Sequence, residues 1–163
     1  MKITDLLTLN DFVEAWLLEN GDIKHVQPLS NGEKSVDEIS SYYTDSYKGT
    51  TAFFQIAEVI QDDQLLTIQC SLTIASKPAD VSVRAGLVTR DHTLKLMLER
   101  LGRLHDLADQ SAQETEDMGD MYELVIKQGE KIYPIGLMTN VHLEGHYIDL
   151  DITVPVKHLM YPN

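Results

Sequence analysis

The stretch from Gln64 to Ala75 reads Gln-Leu-Leu-Thr-Ile-Gln-Cys-Ser-Leu-Thr-Ile-Ala, and the rest of the chain must be fitted around it. Leu66, Ile68, Cys70, Leu72 and Ile74 fall on one side, and Leu65, Thr67, Gln69, Ser71 and Thr73 fall between them. Side chains alternate across a strand with period two, so the run reads as one long β-strand with a dry face and a largely wet face. It is about twice the length of an average strand. Such a strand belongs to a sheet of considerable span.

Its neighbours supply that sheet. Thr51 to Ile60 reads as a strand with apolar residues on both faces, Phe53, Ala57 and Val59 against Phe54, Ile56 and Ile60. Asp62-Asp63 gives a tight turn, so this strand and the long one are expected to pair as a hairpin. Lys77-Pro78 ends the long strand. Late in the chain His146 to Val154 repeats the alternation, with His146, Ile148, Leu150, Ile152 and Val154 inward and Tyr147, Asp149, Asp151 and Thr153 outward. Met121 to Lys127 also alternates, Gln128-Gly129 reads as a turn, and Lys131 to Leu137 as a returning strand whose Pro134 marks an edge or a bulge.

Two segments have helical spacing instead. Phe12, Val13, Trp16 and Leu17 predict a helix within residues 3–19, with Asn10 as N-cap and Asn20-Gly21 as the stop. A short strand is expected near Ile23 to Val26. Asp91 to Gln110 carries the stripe Leu94, Met97, Leu98, Leu101, Leu104 and Ala108, with Thr89 or Asp91 as cap. Gly102 inside that helix costs about 1 kcal/mol relative to alanine, which predicts close packing there. The stripe should lie across the sheet. From 28 to 49 the pattern gives way to a long polar loop ending in Tyr42, Tyr43 and Tyr47, residues suited to a partner surface or to folding back over a sheet edge. Asp109, Glu114, Glu116, Asp117 and Asp120 predict an acidic loop at about 109–120. Residues 1–163 are thus expected to form a single α+β domain: a mostly antiparallel sheet of long strands, with an N-terminal and a central amphipathic helix on one face.

The residues that could carry chemistry are few. His142-Leu-Glu-Gly-His146 comes nearest to a metal site, but Glu144 is displaced from the zinc-protease position. On a strand the two histidines would be about 13 Å apart, too far to share one ion unless the chain turns at Gly145. Asp149 and Asp151 point the same way on their strand, yet paired carboxylates become an acid and a base only in a cleft that separates their pKa values. His92 and His105 complete no triad. The acidic run lacks calcium-loop spacing, and no nucleophile elbow, phosphate-cradling glycine loop or dinucleotide fingerprint is present. Cys70 is the one cysteine and lies on the dry face, where a thiol behaves as a small hydrophobe. No catalytic residue, cofactor or metal is therefore expected. Neither secretion nor membrane insertion is expected, since the start has no leader pattern and no stretch of eighteen apolar residues occurs.

Charge narrows the partners. Twenty-six acids against thirteen bases give a formal charge of −13, which opposes broad contact with phosphate backbones. The hairpin Thr51–Ala75, the helix Asp91–Gln110 and the last strand His146–Val154 together form a layout that resembles the small tail-completion and tail-terminator proteins of tailed bacteriophages. The resemblance implies a structural subunit of the virion that forms a ring at the head–tail joint. Its partners would be further copies and neighbouring structural proteins. Acidic lumens in that family would let DNA slide rather than adhere, which agrees with the charge here. The rival classes are a small ligand-binding or regulatory domain and an enzyme with an unrecognised site.

Overall fold

The alternating run forms a 12-residue strand, Leu65–Ser76, inside a six-stranded sheet. The structure is a computed structural model that describes residues 3, 5–28, 49–118, 124–138 and 142–155. In chain order the elements are α1 (Leu6–Leu18), β1 (His25–Pro28), β2 (Thr51–Asp62), β3 (Leu65–Ser76), α2 (Val83–Met118), β4 (Val125–Gln128), β5 (Tyr133–Met138) and β6 (His142–Pro155). The strands run β1-β2-β3-β6-β4, and β5 also pairs with β6. Only β1 and β2 are parallel; every other pair is antiparallel. This is the α+β architecture expected. The loop expected at 28–49, with Tyr42, Tyr43 and Tyr47, lies outside the described residues except at its ends.

The β2–β3 hairpin turns on Asp63 and Gln64, with Asp62 opposite Leu65. Asp63 takes a φ of 48°, a left-handed conformation that short polar side chains tolerate. The mixed pattern of β2 has a specific cause. Ile56 faces Cys70 while Glu58 faces Gln69, so one extra residue, Ala57, is inserted as a bulge. Beyond it the faces exchange parity. Phe54, Ile56 and Val59 therefore share the helix side, and Phe53, Glu58 and Ile60 the other.

The late strands depart from expectation. Gln128-Gly129 does not reverse the chain, and β4 does not pair with β5. Both run antiparallel to β6 along its same outer side, Gln128 opposite Leu150 and Tyr133 opposite Tyr147. Five steps on one strand meet three on the other, so the edge carries two extra residues. Gly129 makes the jog possible. Its N–H donates to Asp149 O at 2.8 Å, and a Cβ there would lie 2.9 Å from the same oxygen.

Both helices are longer than their spacing suggested. α1 starts at Asp5, not Asn10, because Asp5 and Thr8 form a capping box: Asp5 Oδ1 accepts from Thr8 N at 2.7 Å, and Thr8 Oγ1 accepts from Asp5 N at 3.0 Å. α2 starts eight residues before Asp91, where Ser82 Oγ accepts from Ala85 N at 3.2 Å. Neither Thr89 nor Asp91 caps it. It also continues through most of the stretch expected as an acidic loop, ending at Met118. Glutamate, glutamine and alanine are good helix formers, and a solvated helical turn accepts them as readily as a loop.

The buried stripe of α2 runs through Thr93, Leu96, Met97, Arg100, Leu101 and Leu104, whereas Leu98 is 53% exposed. Arg100 and Thr93 are polar, so hydropathy alone placed the stripe slightly wrong. Gly102 is exposed with nothing within 4 Å of a Cβ, so the expected close packing is absent there. On the sheet, Leu72, Ile74, Ile148, Leu150, Ile152 and Val154 are at most 1% exposed and meet Met97, Leu101 and Leu104 of α2 and Phe12 and Trp16 of α1 in one core. Fully burying each such side chain contributes roughly 1.5–3 kcal/mol. The helices are joined reciprocally. Trp16 Nε1 donates to Arg100 O at 2.7 Å, and Arg100 Nη1 donates to Trp16 O at 3.3 Å.

Candidate functional site

Two features could serve a function: a polar niche beneath α2 and the two free edges of the sheet. The niche is built on the first half of β6. His142, Glu144 and His146 share one face of that strand, and the strand passes straight through Gly145 without turning. A Cβ on Gly145 would lie 2.2 Å from Ile74 O, so only glycine lets β3 and β6 approach this closely. The two histidines are therefore kept apart. Each binds elsewhere: His142 Nε2 meets Glu144 Oε1 at 2.9 Å, and His146 Nδ1 meets Thr93 Oγ1 at 3.1 Å. Among the described residues no group of three or more His, Cys, Asp or Glu is placed to hold a metal ion.

Glu144 is the hub. Arg90 Nε of α2 donates to its Oε2 at 2.5 Å, while the side chain remains only 8% exposed. Burial pushes the carboxyl pKa up, but the bonds from Arg90 and His142 outweigh burial and hold it below the ordinary 4.5. Room for the carboxylate comes from two glycines. A Cβ on Gly86 would lie 3.2 Å from Glu144 Oε1, and one on Gly136 would lie 3.3 Å from Arg90 Nη2. Thr93 donates to Arg90 O at 3.1 Å, which leaves its hydroxyl oxygen to accept from His146 Nδ1–H. Burial, then the charge of Arg90, lowers the His146 pKa against a smaller opposing effect of Glu144, so the ring is neutral at pH 7. The polar groups of the niche are directed at one another. They fasten α2 to β6.

Asp149 and Asp151 do share the outer face of β6. Asp149 is exposed and borders a shallow cleft of about 260 Å³ with Gly129, Glu130, Lys131 and Tyr133, and Asp151 lies opposite Lys127 in register. The cleft therefore takes in one carboxylate of the pair. Cys70 is buried as expected. Its thiol gives a bond to Leu150 O at 3.3 Å, and burial pushes its pKa up to about 12.

The edges are the open features. β1 covers β2 only from Thr51 to Phe54. From Ile56 to Asp62 the outer side of β2 has no strand beside it among the described residues, and Val59 and Ile60 are 46% and 41% exposed. At the other margin β4 presents Val125, 47% exposed, together with Lys127. The sequence showed these strands but not that the outer ones would lie uncovered. The niche was invisible in it, because Arg90 and Glu144 are 54 positions apart and fit no local motif.

Comparison with known proteins gives no match to a family model and none to a curated protein. No helix among the described residues is long and apolar enough to cross a membrane.

Proposed function

We propose that this chain is a non-enzymatic assembly protein, a ring-forming subunit of the head–tail joint of a tailed bacteriophage, as the layout of its sequence suggests. The observation that carries the reading is the uncovered outer edge of β2 from Ile56 to Asp62, with Val59 and Ile60 exposed on opposite faces. Free edges pair with other chains unless they are blocked, and natural proteins usually place lysine, proline or a covering loop there. This stretch has none of the three among the described residues. The bulge at Ala57 interrupts only its start. The formal charge of −13 suits a surface that DNA passes without adhering. A ligand-binding domain or an enzyme would need polar groups converging on an open cavity, whereas those of the niche converge on each other.

The test is association. Wild-type chain, alone and with the products of its neighbouring genes, should sediment well above the monomer mass of 18.4 kDa. The Val59→Lys/Ile60→Lys variant should keep its melting temperature and lose that association. The reading fails if the wild type associates with nothing, or if the variant associates as well as the wild type.

A further inference from the structure

The two free margins of the sheet match each other. Val125 of β4 faces Thr153 and Lys127 faces Asp151, which puts both on the face away from the helices, while Ile126 faces Ile152 on the helix side. On β2, Glu58 faces Gln69 and Ile60 faces Thr67, again away from the helices, and Val59 faces Ile68 on the helix side. Laid antiparallel with Glu58 opposite Lys127, the margins bring like faces together at every position. Opposite signs then meet at one row and apolar pairs at the next two. The charges are also sorted. Ile56 to Asp62 holds Glu58 and Asp62 and no base; Val125 to Gln128 holds Lys127 and no acid.

We infer that the outer edge of β2 in one copy pairs antiparallel with the outer edge of β4 in the next, with Glu58 opposite Lys127, Val59 opposite Ile126 and Ile60 opposite Val125. This rests on the assembly reading and names its partner. Directions agree: β2, β3, β6 and β4 alternate, so β4 already runs opposite to β2 within each chain. Copies standing the same way up therefore present antiparallel edges to one another. The contact is head-to-tail, the kind that closes into a ring or runs on as a filament. β1 and β5 do not obstruct it, because β1 lies against Thr51–Phe54 and β5 against His142–Tyr147, at the opposite end of the sheet. Without a neighbour, Lys127 already faces Asp151; the second carboxylate would reach it from the far side. Directly opposed residues on paired strands have Cβ atoms about 5 Å apart, close enough for apolar contact and an ion pair.

Cysteine pairing tests the register. Ile60→Cys and Val125→Cys chains, mixed and treated with a short bifunctional thiol reagent, should give a covalent dimer containing one of each. Its yield should be about tenfold above that of Leu98→Cys mixed with Val125→Cys, since docking raises the local concentration of the paired thiols. Cys70 is buried and does not compete. Independently, Glu58→Lys and Lys127→Glu should each weaken association, and the variant carrying both should recover it. A yield equal to the Leu98→Cys control, or no recovery in the double reversal, overturns the interface. If the chain still sediments as an assembly in that case, the assembly reading survives without it. If it neither assembles nor crosslinks, both fall.

Discussion

The two ends of the β2–β3 hairpin are built from the same alternating pattern and have opposite fates. At the base, Thr51, Ala52, Phe53 and Phe54 are all buried, on both faces of the sheet. At the tip, every residue of β2 from Ala57 onward is exposed, and Leu65 across the turn is 48% exposed. Alternation specifies which face a side chain takes; it does not specify whether anything lies against that face. The base has β1 beside it and the helices over one face, and the tip has neither. One half of the hairpin is therefore a stability element, and the other half is surface available to a partner.

The sharpest way to break that comparison is a buried charge. Leu72→Asp, at 0% exposure, should unfold the domain, a loss above about 4 kcal/mol, while Ile60→Asp should move the urea midpoint by less than about 0.5 kcal/mol. Similar losses at both would mean that the tip is packed. Next in size is Gly145→Ala, whose Cβ would meet Ile74 O at 2.2 Å and Ala75 Cα at 2.8 Å. Backbone cannot swing aside as a side chain can, so we expect a loss of about 3 kcal/mol, at the upper end of overpacking costs. Thermal melts read it directly.

The base should also be the acid-sensitive end. His146 is held below its ordinary 6.5, so the unfolded chain takes up that proton first, and its contribution is present above 6.5 and lost as the pH falls through the lower folded value. Glu144 acts in the same direction further down: its contribution is present above 4.5 and lost as the pH falls through the depressed folded value. Melting temperature should therefore decline on acidification. His146→Gln should flatten the upper part of that decline and Glu144→Gln the lower part, and a tip variant such as Ile60→Lys should leave the profile unchanged. The smallest effect has the opposite sign. Gly102→Ala on the open side of α2 should stabilise by up to about 1 kcal/mol, because a Cβ there meets nothing and the helix gains rigidity.

Most of the fold was legible because burial and alternation coincide in β3 and β6. Their inward residues were read correctly, down to the burial of Cys70 and His146. Legibility failed where a residue was placed by something other than hydropathy. The bulge at Ala57 shifted the parity of β2, and a two-residue jog made one broken edge look like a hairpin. Arg100 and Thr93 took places in the helix stripe that leucines had been expected to fill. Arg100 is held there by Trp16 O, yet its Nε has no hydrogen-bond partner, a cost that the pattern of a single helix could not reveal. The niche around Glu144 depends on two glycines and an arginine from three separate elements. Only the folded chain brings them together.

The reciprocal bond between the helices has a practical consequence. Trp16 is the only tryptophan in the chain, it is 2% exposed, and its indole N–H is committed to a carbonyl of α2. Its fluorescence therefore reports on a single event, the docking of α1 against α2. Circular dichroism of the same sample follows the backbone of all the elements together. Where the two signals part during denaturation, α1 has lifted away while the sheet still holds; where they coincide, the helix layer and the sheet come apart as one cooperative unit.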